Sequence, residues 1–259
     1  MPGPGAGTAK AGKPRVFAAD LHVHTALSPC AETEMSPGNI VGLALEYGLD
    51  IVAVTDHNSG ANARAVSEFA AGTGLVVWPG MEVQTKEEVH LVVLADDLDL
   101  LEGWQELVYR HLPSRPNRPD VFGEQTLFDN EGRVTGVLER LLLTSVDLSV
   151  DEVRREARRR GLVCYPAHVD RPAYGYISNL GFLPPVSDFD LIEVSSRLTL
   201  GEVKAKLPSI EGRTIVISSD AHRLEELGPA RTWLHMGQPT LDEFRAAIVG
   251  RDGRKVEAL

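Results

Sequence analysis

Short apolar runs recur along the chain, and polar residues close each of them: "GLDIVAVTDHNSG", "GLVVWPGMEVQT", "GLVCYPAHVDRP", "FDLIEVSSR" and "RTIVISSDAHR". Such nearly continuous apolarity predicts strands buried on both faces, as in a parallel sheet covered by helices. Helical segments lie between several of them. Ser36 and Pro37 open a helix over "GNIVGLALEY" that stops at Gly48. Ser149 with Glu152 makes a capping box for "VDEVRREARRR", which stops at Gly161, and Thr240 with Glu243 does the same for "LDEFRAAIV". Strands alternating with helices predict βα units, and 259 residues suffice for a single α/β barrel.

One run, "AADLHVHTALSPC" from Ala18 to Cys30, ends in two histidines separated by a valine. In an extended strand His22 and His24 project from one face, while Leu21 and Val23 take the other. The other chemistry-bearing residues also sit at strand ends. His22, His24, Asp56, His57, Glu82, His168, Asp220 and His222 each close or follow an apolar run, and His90 opens one in "EVHLVV". In a parallel barrel all downstream strand ends share one rim. Imidazoles and carboxylates gathered there repel one another and are poorly solvated unless cations occupy the centre. A nitrogen and oxygen donor set with no required thiolate suits zinc, manganese or iron.

Composition narrows the partners. A formal net charge of -11 argues against a sequence-nonspecific grip on long nucleic acid, whereas small anionic substrates need only a local positive centre. Arg171 in "HVDRP", Arg197 in "VSSR" and Arg223 in "DAHR" each follow a strand end and are candidate phosphate-binding groups. Glu193 in "LIEV" lies on the same side, where pairing with one of these arginines is its expected role. The two cysteines, Cys30 and Cys164, fit a reducing, cytoplasmic location. No apolar window is long enough to span a membrane, and the opening "MPGPGAGTAKAGKPR" lacks the apolar core of a secretory signal, so residues 1–14 are expected to form a disordered tail. Nothing in the sequence specifies an oligomeric state.

The ordered set "DLHVHT", "TDHN", "GMEV", "VHLV", "AHVD" and "SDAH", running from about Asp20 to His222, closely resembles the motifs of the PHP (polymerase and histidinol phosphatase) family of metal-dependent phosphoesterases. The resemblance implies a distorted (β/α)7 TIM-like barrel over residues 15–259, with an insertion at about 96–148 between the fourth and fifth strand-like segments. It implies two or three divalent ions (Mn, Zn or Fe) at the rim. His22, His24, Glu82 and Asp220 would hold one, with Glu82 bridging to a second held by His90 and His168. His57 and His222 would serve a third, and Asp56 is expected to orient this catalytic group, Asp56, His57 and His222. The third site departs from the family pattern: "ALSPCAETE" places Cys30 where a carboxylate or histidine is common, so Cys30 is either a ligand or a loop thiol.

The chemistry that follows is hydrolysis of a phosphate ester of a small metabolite or nucleotide by a metal-activated hydroxide. The lack of a "G-x-S-x-G" elbow, a P-loop or a dinucleotide fingerprint agrees with it. The alternatives are a non-catalytic scaffold module, an exonuclease acting on short oligonucleotide ends, and an amidohydrolase-like barrel, which also begins with a His-x-His strand. The "TDHN" and "SDAH" motifs favour phosphoesters. Between His90 and His168, the stretch "HLPSRPNRPDVFGEQTLFDNEGR" reads as a long loop, either a lid carrying Arg115, Arg118 and Arg133 toward the substrate or a solvated insertion.

Overall fold

The structure is a computed structural model that describes residues 14–197, 199–229 and 231–259. The expected tail, residues 1–14, lies outside the described residues except for Pro14. The strands are β1 (Arg15–Val23), β2 (Ile51–Val54), β3 (Val76–Gln84), β4 (His90–Leu94), β5 (Thr126–Phe128), β6 (Val134–Val137), β7 (Val163–Pro166), β8 (Leu191–Ser195), β9 (Thr214–Ser218), β10 (Thr232–Met236) and β11 (Lys255–Ala258). The helices are α1 (Pro37–Glu46), α2 (Ala63–Phe69), α3 (Leu98–His111), α4 (Pro119–Phe122), α5 (Val150–Arg159), α6 (Tyr176–Leu180), α7 (Leu200–Lys206) and α8 (Leu241–Ile248). The caps read from the sequence close their helices: the Ser36 and Thr240 side chains accept from backbone N–H groups of the first turn, and Ser149 with Glu152 forms the full capping box. The box expected of Thr240 with Glu243 is only half made, because the Glu243 carboxylate accepts from Gly237 N and the Arg254 guanidinium instead of the cap N–H.

A curled seven-stranded sheet runs in the order β11-β10-β1-β2-β3-β4-β7, and β8 pairs with β9 in parallel. The two pieces meet at the rim. Val169 N donates to Glu193 O at 2.9 Å, and His24 N donates to Ala221 O at 3.0 Å beside the Val23–Ala221 bridge. The result is an α/β fold of the TIM-like barrel kind.

The sheet is not wholly parallel. β1, β2 and β3 run together, but β4 is antiparallel to both β3 and β7. A tight turn causes the reversal: Thr85 N donates to Val89 O at 2.9 Å, and so short a connection can only make a hairpin. His90, at the start of β4, therefore lies opposite Gln84 at the end of β3, on the same rim as the other strand ends.

Two apolar layers hold this sheet. Phe17, Leu21, Ile51, Trp78, Val92 and Tyr165 face the inside of the curl, where Phe244 of α8 packs on Trp78; Val52, Val54, Leu91 and Val93 face the helices. Strand β1 changes parity on the way. Three steps along β1, from Asp20 to Val23, match two along β2, from Val52 to Val54, the signature of a bulge, so Leu21 belongs to the inner layer and Val23 to the outer one. The simple alternation expected for Leu21 and Val23 fails for that reason.

The stretch between β4 and α5 is folded rather than a bare loop. It contains α3, with Trp104 fully buried, then α4 and the β5–β6 hairpin. Asn58 donates to Leu142 O and Thr144 O, and Asn62 donates to Thr126 O, fastening this stretch to the rim. Gly123 lies directly on the loop after β1: its φ is 98°, and a Cβ there would stand 1.9 Å from Pro29 O. Gly123→Ala is therefore expected to destabilise the protein by roughly 1–3 kcal/mol, read as a fall in Tm of about 2 °C or more in a calorimetric melt. An unchanged Tm would show that the contact is not rigid.

Candidate metal centre

Glu82, fully buried at the rim end of β3, is surrounded by imidazoles. Its Oε1 lies 2.8 Å from His90 Nδ1, 3.0 Å from His168 Nε2 and 3.3 Å from His22 Nε2. Its Oε2 lies 2.9 Å from His57 Nδ1 and 3.5 Å from His24 Nε2. Asp220, on the loop after β9, brings Oδ1 to 3.0 Å from His24 Nε2 and 3.3 Å from His22 Nε2, and those two nitrogens are 3.1 Å apart. Ligand atoms around one tetrahedral ion with bonds of about 2.0–2.1 Å are separated by about 3.3–3.4 Å. The observed spacings fit the edges of such a polyhedron.

Hydrogen bonding alone leaves this cluster unsatisfied. His57 Nδ1, Glu82 Oε2 and Asp220 Oδ1 are buried without a hydrogen-bond partner, although neighbours lie within about 3 Å. Atoms so close yet not aimed at one another are arranged to share a third centre, and a divalent cation fits. Three groups of donor atoms fall within one ion's reach among the described residues: His22, His24, Glu82 and Asp220; His57, Glu82 and His90; and His24, His57 and His222. His57 thus joins Glu82 as well as His222, while His168 stands against Glu82 Oε1 outside those groups.

Buried partners set each ring for this task. Glu193 faces His22 Nδ1 at 3.0 and 3.1 Å and accepts from His168 N at 3.1 Å. The expected pairing of Glu193 with an arginine is therefore incorrect, because its carboxylate is consumed inside the barrel by His22. Asp56 accepts from Thr25 N, Thr25 Oγ1 and Ser28 Oγ, each at 2.7 Å. With the Ser28 proton given to Asp56, Ser28 Oγ is free to accept from His24 Nδ1 at 2.9 Å and from His57 N at 3.1 Å. His222 Nδ1 lies 2.9 Å from Asp220 O. In His22, His24 and His222 the Nδ1 proton is thereby engaged, leaving the Nε2 lone pair as the donor to a cation. Asp56 lies behind Ser28 and Thr25 and does not line the cleft.

Electrostatics agree with a cation-binding set. Burial alone pushes His22 toward neutrality, but Glu193, Asp220 and Glu82 outweigh it and hold its pKa well above the ordinary value. Burial opposes ionisation of Glu82, yet His90, His22 and His57 keep its carboxyl well below the usual range. Burial, the largest influence on His90, pushes it down to about 4 against the pull of Glu82. Burial likewise drives Asp56 up to about 6 against its bonds from Ser28 and Thr25. The backbone is strained at the same rim: His168 (φ 27°), Asp220 (φ 51°), Asn58 (φ 48°) and Tyr174 (φ 57°) all occupy the left-handed region.

A cleft of about 420 Å³ opens onto the cluster, of a size for a small ligand. Arg171 and Arg197 line it, and an Arg171 Nη1 contact reaches Asp220 Oδ2. Arg223 does not line it; its half-exposed side chain pairs with Glu32. Cys30 lies at the cleft mouth, where burial of its sulfur raises its pKa but His57 and His222 outweigh that and bring it down to about 6. Leu143 is the contribution of the stretch after α3, while Arg115, Arg118 and Arg133 stay outside on the surface. Arg118 pairs with Asp120, and Arg133 pairs with Asp129 and Glu131. Ser28, Glu193 and Tyr174 hold or border the centre without any spacing in the sequence that announces it.

Among solved structures, the lesion-specific endonuclease EndoQ from Pyrococcus furiosus is similar, with a TM-score of 0.67 and 19% identity over 93% of this chain; the chain covers 58% of that enzyme. PsfC from Pseudomonas syringae gives a TM-score of 0.59 at 16% identity, covering 94% of this chain and 91% of that one. A two-domain protein from Bacteroides vulgatus containing a predicted PHP-like metal-dependent phosphoesterase gives 0.57 at 17% identity, covering 98% and 69%. No curated protein matches. No helix among the described residues is long and apolar enough to cross a membrane. The profile of the PHP domain matches residues 20–157 and that of the PHP-associated region residues 212–252. The first of these covers more than half of the chain and includes His22, His24, Glu82 and His90, and the chain belongs to the PHP family.

Proposed function

We infer that the protein is a metal-dependent phosphoesterase acting on a small phosphorylated metabolite or nucleotide. The observation that carries the reading is the sharing of one buried carboxylate, Glu82, among imidazoles whose free lone pairs converge beside a cleft that also holds Arg171. Divalent manganese, zinc or iron bound there would lower the pKa of a water and neutralise charge developing on the phosphoryl oxygens.

The chain's own groups do the rest. His22, His24, Glu82 and Asp220 form the first holding group, and Glu82 extends toward His57, His90 and His168. Arg171 spends Nη1 on Asp220 Oδ2 and lines the cleft, so the remaining guanidinium N–H groups are its candidate donors to a phosphate oxygen. Arg197, exposed at the cleft, is the second candidate for that anion. Cys30, His57 and His222 frame the remaining donor group, in which the thiol is a candidate ligand. A second reading is cleavage of a nucleic-acid phosphodiester, which presents the same phosphoryl chemistry and is supported by the fold likeness to EndoQ, a lesion-specific endonuclease. The net charge of -11 weighs against a long duplex.

Chelation should abolish phosphate release and lower Tm, and added manganese or zinc should restore both. Undiminished turnover in protein shown by elemental analysis to be metal-free would refute the reading. Glu82→Gln, which keeps volume but removes charge, is expected to lose one ion and at least about a hundredfold in rate; full metal content with a near-normal rate would mean that Glu82 is no bridge. Glu193→Gln weakens the grip on the His22 Nδ1 proton, and the expected outcome is metal affinity reduced by roughly tenfold or more, measured by competition with a chelator. Parent-like affinity would show that Glu193 does not tune His22.

A further inference from the structure

The loop from His168 to Gly175 is a tight arch over one side of the cleft. Arg171 N donates to His168 O at 2.9 Å, and a Cβ at Gly175 would stand 2.4 Å from Arg171 O, so the arch closes only on glycine. One shoulder of the arch places Arg171 on Asp220. The other places Tyr174 on His90: the Tyr174 carbonyl accepts from His90 N at 3.0 Å, and the two rings stack with centroids 4.5 Å apart and planes 11° apart.

Tyr174 is not there to fill a core. It is 43% exposed, it lines the cleft, and it holds a φ of 57° that a residue with a side chain adopts at a cost. With one ring face on His90, the other is left to the cleft, where Leu143 and Pro172 extend the apolar wall. The cleft thus carries a cation beside Asp220 and a fixed aromatic plane beside His90.

We propose that Tyr174 is the specificity-determining residue of the site, a stacking wall for a substrate whose leaving group is flat and aromatic, such as a nucleoside. The proposal rests on the phosphoesterase reading and names the substrate class for that same centre. Arg171 holds the phosphoryl group common to all substrates, and Tyr174 contacts only the part that departs. Stacking on a preset ring discriminates by π-face rather than by hydrogen-bond pattern, so the base itself is read loosely. Selectivity then appears in KM for aromatic leaving groups.

The test uses the full chain loaded with manganese, and compares a nucleoside 5′-monophosphate with glycerol phosphate. The ratio of their kcat/KM values is measured in the parent, Tyr174→Phe and Tyr174→Leu, with circular dichroism to check the fold. The ratio should favour the nucleotide in the parent, persist in Tyr174→Phe and fall about tenfold in Tyr174→Leu through KM. Free nucleoside should inhibit the parent competitively, a measurement that needs no variant. A ratio equal in all three proteins, a parent that prefers glycerol phosphate, or no inhibition by nucleoside overturns this inference while leaving the hydrolytic reading standing. Release of phosphate from neither substrate overturns both.

Discussion

A carboxylate without access to water lies within 3.5 Å of nitrogen atoms from five histidines, and the rim of this protein is organised around that contact. Burying Glu82 unpaired would cost several kcal/mol, and burying the histidines together would suppress their charge. Each arrangement is tolerable because the other is present, and a cation completes both. The residues that meet Glu82 come from β1 and the segment directly after it, from β4, and from the loops after β2 and β7, so the contact ties distant parts of the chain to one point.

The scaffold delivers these groups by specific departures from regularity. The bulge in β1 turns His22 and His24 toward the centre without exposing Val23, which moves to the helix-facing layer. The reversal of β4 brings His90 to the rim from a strand start. Left-handed backbone at His168 and Asp220 bends the chain sharply where it leaves β7 and β9. Strain of this sort is retained where packing and hydrogen bonds fix it, here by Val169 N on Glu193 O and by the Arg171 contact with Asp220.

Much of the architecture was legible in the sequence, because apolar runs and caps are local signals. The helices opened at Ser36, Ser149 and Thr240 begin where their capping residues require, and polar residues at run ends do gather on one rim. What escaped depends on contacts between distant segments. Glu193 looks like any strand carboxylate until His22, 171 residues away, is seen against it, and Ser28 becomes meaningful only once Asp56 and His24 flank it. The run "HLPSRPNRPDVFGEQTLFDNEGR" reads as loop from its Pro and Arg content, yet Asn58, Asn62 and Gln125 staple its neighbourhood into a folded layer. Arg171 and Arg223 carry the same local signature, and their partners in the fold, Asp220 for one and Glu32 for the other, separate a cleft residue from a surface one.

The central claim is that Glu82 is shared between cations rather than merely ion-paired with protonated histidines. Anomalous scattering from crystals soaked in manganese, collected at the metal edge, tests it most directly. The account predicts a peak within about 2.0–2.3 Å of a Glu82 oxygen and of His22 Nε2 and His24 Nε2, with a second peak about 3.5–4 Å away on the His57 and His90 side. Crystals of active protein with no anomalous peak at Glu82, or with metal bound only elsewhere, would contradict it.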